Sequence, residues 1–224
     1  MPASTSSAEL DPPLLEAALL AGSRGDRRLF QNLGLTLRAG QIIWLRGRNG
    51  RGKTTLLRLL AGLSTPAQGE IRVLGQGLKT APVLLRSQLG YLAHANALKD
   101  DLTASEALSF VGALGGRTPQ GTEVIEALRR LGIASRAQAP VRTLSQGQRR
   151  RVALARLALP RGPRVWLLDE PFDALDDRGV EVLNGLLSEH AAAGGVVLLT
   201  SHQSLSLRNP PPQVLNLDDY SVLA

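Results

Sequence analysis

Gly47-Arg48-Asn49-Gly50-Arg51-Gly52-Lys53-Thr54-Thr55 restricts what this chain can fold into more than any other stretch. The apolar run Ile42-Ile43-Trp44-Leu45 precedes it, and Leu56-Leu57-Arg58-Leu59-Leu60-Ala61-Gly62 follows. The spacing predicts a buried strand, a Gly-rich turn, and a helix whose Leu56, Leu59 and Leu60 share one face. That is the context in which such a motif is a P-loop. Glycines let the backbone turn tightly and aim several N–H groups inward, which makes an anion nest at a helix N-terminus. Lys53 can reach the β- and γ-phosphates, and the Thr54 hydroxyl can ligate Mg²⁺. Strand, spacing, Lys53 and Thr54 together argue against an ordinary Gly-rich turn, so the chain is expected to bind a nucleoside triphosphate.

A motif of this kind needs an α/β sheet around it, and 224 residues suffice for one such domain or one with a small insert. Hydrophobic content of 43% supports a core, and a charged fraction of 20% argues against wholesale disorder. With no cysteine, disulfides, thiolate zinc sites and iron–sulfur clusters are excluded, which fits a reducing compartment. Residues 1–13 are rich in Ser, Ala and Pro, carry no basic or apolar signal region, and read as a flexible tail. No apolar run approaches the ~20 residues that span a bilayer, so the expectation is a soluble or membrane-peripheral protein. The net charge of +7 is mostly arginine, with Lys53, Lys79 and Lys99 the only lysines. No long basic block is interleaved with aromatics, which make up only 3%, and no nucleic-acid partner is expected.

Taken in order, the fold begins at Leu14–Leu20, and Leu33, Leu35 and Leu37 alternate as in a half-buried strand. Glu70–Leu74 reads as another alternating strand, and Leu89–Leu92 as a core strand. Helical spacing appears from Thr103 and again at Val124–Leu131, with Gly112–Gly121 as the break between them. A helix is expected from Arg149 to Leu159, closed by Pro160, and a last strand at Val214–Leu217 after Pro210-Pro211-Pro212. The expected fold is α/β: a mostly parallel sheet flanked by helices in one nucleotide-binding domain over 14–224, with a helical subdomain at about 95–160.

Two fully apolar runs end in polar residues that suit chemistry at a sheet edge. Val165-Trp166-Leu167-Leu168 runs into Asp169-Glu170, and Val196–Thr200 into Ser201-His202. Such runs read as buried parallel strands, and ligands bind at the carboxyl edge of such sheets. Asp169 is then placed to hold Mg²⁺, and Glu170 to accept a proton from water attacking the γ-phosphate. His202 is a candidate γ-phosphate sensor. Leu144-Ser145-Gln146-Gly147-Gln148 offers a second anion-binding helix start, of no evident use unless two copies meet face to face.

From about Leu15 to His202 the chain resembles the ATP-binding-cassette ATPases. The matching pieces, in order, are the P-loop Gly47–Thr55, the signature Leu144–Gln148, the Asp169-Glu170 strand, the D-loop Ala174-Leu175-Asp176 and the switch residue His202. The resemblance implies a P-loop NTPase with an added antiparallel β subdomain. It implies ATP and Mg²⁺ as ligands, and an ATP-dependent homodimer in which the P-loop of one copy faces Ser145–Gly147 of the other. The adenine-stacking aromatic of the family is absent near Arg24, whose guanidinium can itself stack on a base. His94 stands at the Q-loop position, where the family has glutamine. That histidine, Arg149–Leu157 and Leu199–Gln203 most resemble the ATPases of cytochrome c maturation. Implied in turn are a membrane-spanning, CcmB-like permease, heme-handling membrane proteins, and a peripheral site on the cytoplasmic face of the inner membrane. Alternatives are the ATPase of another small-substrate exporter or a soluble cassette protein acting on ribosomes or DNA.

Overall fold

A computed structural model describes residues 12–116, 118–203, 205, 207 and 209–222. Most of the expected tail, residues 1–11, lies outside them. The chain opens with β1 (Leu15–Arg24) and β2 (Arg27–Leu37), a hairpin turned by Asp26 and Gly25, whose φ is +58°. It continues through β3 (Ile42–Arg46), α1 (Lys53–Leu60), β4 (Gln68–Val73), β5 (Gln76–Gly77) and the single-turn α2 (Val83–Arg86). Then come β6 (Leu89–Leu92), α3 (Ala104–Leu114), α4 (Gly121–Arg130), α5 (Gln146–Ala155) and β7 (Val165–Leu168). The described part closes with α6 (Asp177–Ala192), β8 (Val196–Thr200), β9 (Gln213–Asn216) and a short 3₁₀ turn over Leu217–Tyr220.

Two sheets result. β2-β1-β4-β5 is antiparallel, and β6-β7-β8-β3-β9 is parallel throughout. Strands β7 and β8 lie in the interior of the parallel sheet, and every residue of both is buried. Because side chains alternate across a strand, the sheet divides two cores. Ile42, Trp166, Leu168, Val197 and Leu199 face the helical side with α3, α4, α5 and α6. Ile43, Leu45, Val165, Leu167, Val196 and Leu198 face α1 and the antiparallel sheet, where Phe30, Leu33 and Leu20 are fully buried.

Several boundaries differ from the sequence reading, each for a local reason. α5 begins at Gln146 rather than Arg149, because Ser145 caps it: the Ser145 hydroxyl accepts from Gln148 N, and Gln148 Oε1 accepts from Ser145 N. Its regular part ends at Ala155 and tightens into a 3₁₀ turn over Arg156–Ala158. Gly112 stands inside α3 and Gly121 opens α4, where the capping boxes Thr103/Glu106 and Gln120/Glu123 fix the starts. β6 is an edge strand whose Gly90 and Leu92 are buried, Leu92 in the helical-side core, while Leu89 and Tyr91 are only partly buried against the other core. The last strand is Gln213–Asn216, and Leu217 already turns.

Candidate active site

The loop between β3 and α1 is held open by backbone conformation. Gly47, Gly50 and Gly52 have φ of +145°, +78° and +102°, a region L side chains rarely enter. Gly52 is required twice over, since a Cβ there would stand 3.0 Å from Leu29 Cδ1. No side chain caps α1 and no acid lies in its first turn, so its leading N–H groups remain available for an anion. Lys53 Nζ donates to Gly47 O at 2.7 Å, folded back over the loop it is expected to share with phosphate. Beyond the loop, Asp218 faces Arg51 Nε at 3.1 Å and accepts from the Arg48 backbone N–H at 3.1 Å. A carboxylate 170 residues away thus fastens the loop from outside.

A cavity of about 410 Å³ opens beside this loop. Asn49, Lys53 and Thr54 line it together with Asp169, Glu170, His94 and His202, and Arg24 lines it as well. Residues of the Gly47–Thr55 loop, His94, both acids and His202 therefore share one space. Ser145–Gly147 do not line it. Ser145 and Gln146 are exposed at the start of α5, and Gly147 packs so tightly on the D-loop that a Cβ would stand 2.9 Å from Ala174 O. Asp176 likewise lies outside the cavity. It caps α6 by accepting from Gly179 N and pairs with Arg151; those two contacts, the Gly179 N–H first, hold its carboxyl below the usual range.

The two acids are organised by Thr200, which is fully buried at the end of β8. Its hydroxyl donates to Asp169 Oδ1 at 3.0 Å and accepts from the Glu170 backbone N–H at 2.8 Å. Glu170 is itself 9% exposed and stands at φ +47°, an unusual conformation for a residue with a side chain. Its carboxylate accepts from the His202 backbone N–H at 3.0 Å, and His202 Nε2 lies 3.6 Å from its other oxygen. Trp44 Nε1 donates to Ser201 O, which ties the P-loop strand to the segment that carries His202. His94 Nδ1 approaches Asp173 at 3.3 Å, so the Q-loop position and the turn after Glu170 touch across the cavity mouth. Burial, opposed by the charges of Asp173, Asp169 and Glu170, lowers the pKa of the Arg150 guanidinium beneath these residues. Burial pulls that of Arg156 down to about 10.

Sequence reasoning missed Thr200, Asp173, Arg150 and Asp218. Thr200 had a signal, a single hydroxyl closing an otherwise apolar strand two residues before His202. Asp218 had none, because only the pairing of β3 with β9 brings it to the loop.

Comparisons with known proteins agree with this geometry. The ABC transporter family model matches residues 30–173. The cytochrome c biogenesis ATP-binding export protein CcmA of Nitrosococcus oceani is 46% identical over 87% of this chain and 88% of its own length. The protein of that name from Pseudomonas syringae pv. tomato is 48% identical over 87% and 91%. Among solved structures, a putative ABC transporter ATP-binding protein from Pyrococcus furiosus superposes with a TM-score of 0.80 at 27% identity, covering 93% of this chain and 99% of that one. The dimeric bacterial ABC transporter cassette MJ0796 superposes at 0.78 with 23% identity over 91% and 94%, a likeness of fold. Matched through the P-loop and both acids, and aligned with CcmA proteins over most of its length, the chain belongs to the ATP-hydrolysing ABC transporter family, in its CcmA branch.

Proposed function

We propose that this ATPase works as a dimer on the cytoplasmic face of the inner membrane, driving a CcmB-like permease in the heme handling that c-type cytochrome assembly requires. What carries the reading is the extent of the likeness to CcmA proteins, which spans the nucleotide site and the helical segment alike. Among the described residues no helix is long and apolar enough to cross a membrane, so a separate membrane subunit is assigned that task. One chain leaves its cavity without a residue from the start of α5. That supports a site completed by Ser145–Gly147 of a second copy.

In this reading Lys53 leaves the Gly47 carbonyl for the β- and γ-phosphates, and the free N–H groups of α1 take the remaining oxygens. Mg²⁺ fits here: Thr54 and Asp169 both line the cavity and offer hard oxygen donors. When bound, the ion offsets the charge developing on the phosphates. Asp169, one of whose oxygens accepts from Thr200, would offer the other to the ion. Glu170 accepts the proton of the attacking water, and His202, beside it, contacts the γ-phosphate.

The test is deletion of the gene from its own cell. Heme-stained c-type cytochromes should disappear, and return with the parent chain but not with Lys53→Ala. Undiminished c-type cytochromes in the deletion strain would overturn the heme assignment while leaving the ATPase intact.

A further inference from the structure

Arg150 is 2% exposed, more deeply buried than either acid of the site. It sits in the second turn of α5, just after the capping box of Ser145 and Gln148. All three of its nitrogens are engaged, none of them by a carboxylate. Nε donates to Pro171 O at 3.2 Å, and Nη2 to Glu170 O at 2.5 Å and Asp169 O at 3.4 Å. Nη1 donates to Ala93 O at 3.2 Å, His94 O at 3.3 Å and Asn96 Oδ1 at 3.1 Å. One planar fork therefore holds the turn after β7 and the loop after β6 against a single helix. Lysine, a point charge with three donors, cannot reproduce that fan.

The turn it holds is under strain. Glu170 is at φ +47° and precedes a proline, which further narrows its allowed backbone. Such a residue keeps its conformation only where its surroundings over-determine it. Here Thr200 holds the N–H from β8 and Arg150 holds the C=O from α5. The direction of the Glu170 carboxylate thus depends on where α5 sits.

We propose that Arg150 is a positioning residue linking the seating of the signature helix to the aim of Glu170 and to the His94 loop. Movement of Ser145–Gln148 against the nucleotide of a partner copy passes through one guanidinium to the group that handles water. This rests on the reading of Glu170 as the proton acceptor, and the experiment separates the two.

Single-turnover hydrolysis and ATP affinity are measured for the parent, Arg150→Lys, Glu170→Gln and the double variant. Arg150 touches no P-loop residue, so Arg150→Lys should bind ATP like the parent and hydrolyse it about 10- to 100-fold more slowly. If it acts through Glu170, the double variant is no slower than Glu170→Gln alone. Losses that multiply, or a parental rate in Arg150→Lys, overturn the proposal. A parental rate in Glu170→Gln overturns instead the role given to Glu170. Should Arg150→Lys fail to fold, Asn96→Ala removes the one side-chain acceptor of Nη1 in the partly exposed loop and leaves it the carbonyls of Ala93 and His94. It should slow hydrolysis about threefold or more with ATP affinity kept, and add nothing to Glu170→Gln. A parental rate there overturns the link.

Discussion

Replacing Thr200 by valine tests how the acids of the site are held. The side chain is fully buried, and valine nearly matches its shape, so the packing change is small and the polar change dominates. Two contacts go: the hydroxyl to Asp169 Oδ1 at 3.0 Å, and the Glu170 N–H to the hydroxyl at 2.8 Å. A hydrogen bond to a charged acceptor contributes about 1.5–3 kcal/mol, and a buried N–H left without a partner costs about 1–3 kcal/mol. Asp169 lines the cavity, where water can replace part of the first contact, so the sum is set at about 3 kcal/mol. For a chain of this length that lowers Tm by roughly 6–12 °C. The same loss unfastens Glu170 at one end, and hydrolysis should fall about 10- to 100-fold. Thr200→Ser keeps the hydroxyl and loses one methyl, costing about 1 kcal/mol, and should retain most of the activity. Thermal melts and phosphate release on the three proteins decide the matter. If Thr200→Val melts within about 2 °C of the parent and hydrolyses ATP as fast, the claim that Thr200 organises both carboxylates is wrong.

Other perturbations address the rest of the site. Lys53→Ala should abolish hydrolysis and weaken ATP binding, since no other lysine lines the cavity; full activity would sink the P-loop assignment. Glu170→Gln keeps the shape but cannot accept a proton, so it should retain ATP, hydrolyse it very slowly, and elute as a dimer with ATP on size-exclusion chromatography. A monomer under saturating ATP would count against the shared site. His94→Ala should lower ATPase and cytochrome c maturation in the assembled membrane complex more than ATPase of the isolated chain, because His94 bridges to Asp173 at the cavity mouth. Equal losses in both would make it part of the chemistry. His190, stacked on Trp166 at 3.7 Å, has its pKa lowered by burial from 6.5. As pH falls below that value the unfolded chain takes up the proton first, so stability should drop on acidification from about pH 6.5 downward. His190→Phe, which cannot take the proton, should show a smaller loss of Tm over that range, and an unchanged slope would refute the assignment.

Legibility in the sequence followed sequence distance. That residues of the Gly47–Thr55 loop, both acids and His202 would meet at one sheet edge was readable, because each is a short run whose strand or helix lies beside it. Thr200 and Asp169 act as a unit only because β7 and β8 are neighbours in register, with Leu168 beside Leu199. Arg150 looked like one of three consecutive arginines on a helix, and nothing local marks it as the buried member. The late start assigned to α5 was avoidable, because Ser145-x-x-Gln148 is a capping pattern visible in the sequence. The break expected over Gly112–Gly121 is shorter than that, since α3 runs on to Leu114 and Gly121 opens α4; packing of α3 on α4 outweighs about 1 kcal/mol of propensity at Gly112.

The fastening of the P-loop by Asp218 sets a schedule for making the protein. Arg48 and Asp218 are 170 residues apart, and among the described residues β3 pairs with β8 and β9 alone, both encoded late. At about 5–20 residues per second a ribosome needs roughly 10 to 30 s to bridge that gap. Through that interval the antiparallel β1–β2 hairpin can close on itself, while the apolar strand that carries the triphosphate loop waits with both edges unpaired. The nucleotide site is therefore among the last parts of the molecule to be completed, and within the parallel sheet β3 waits longest for a neighbouring strand.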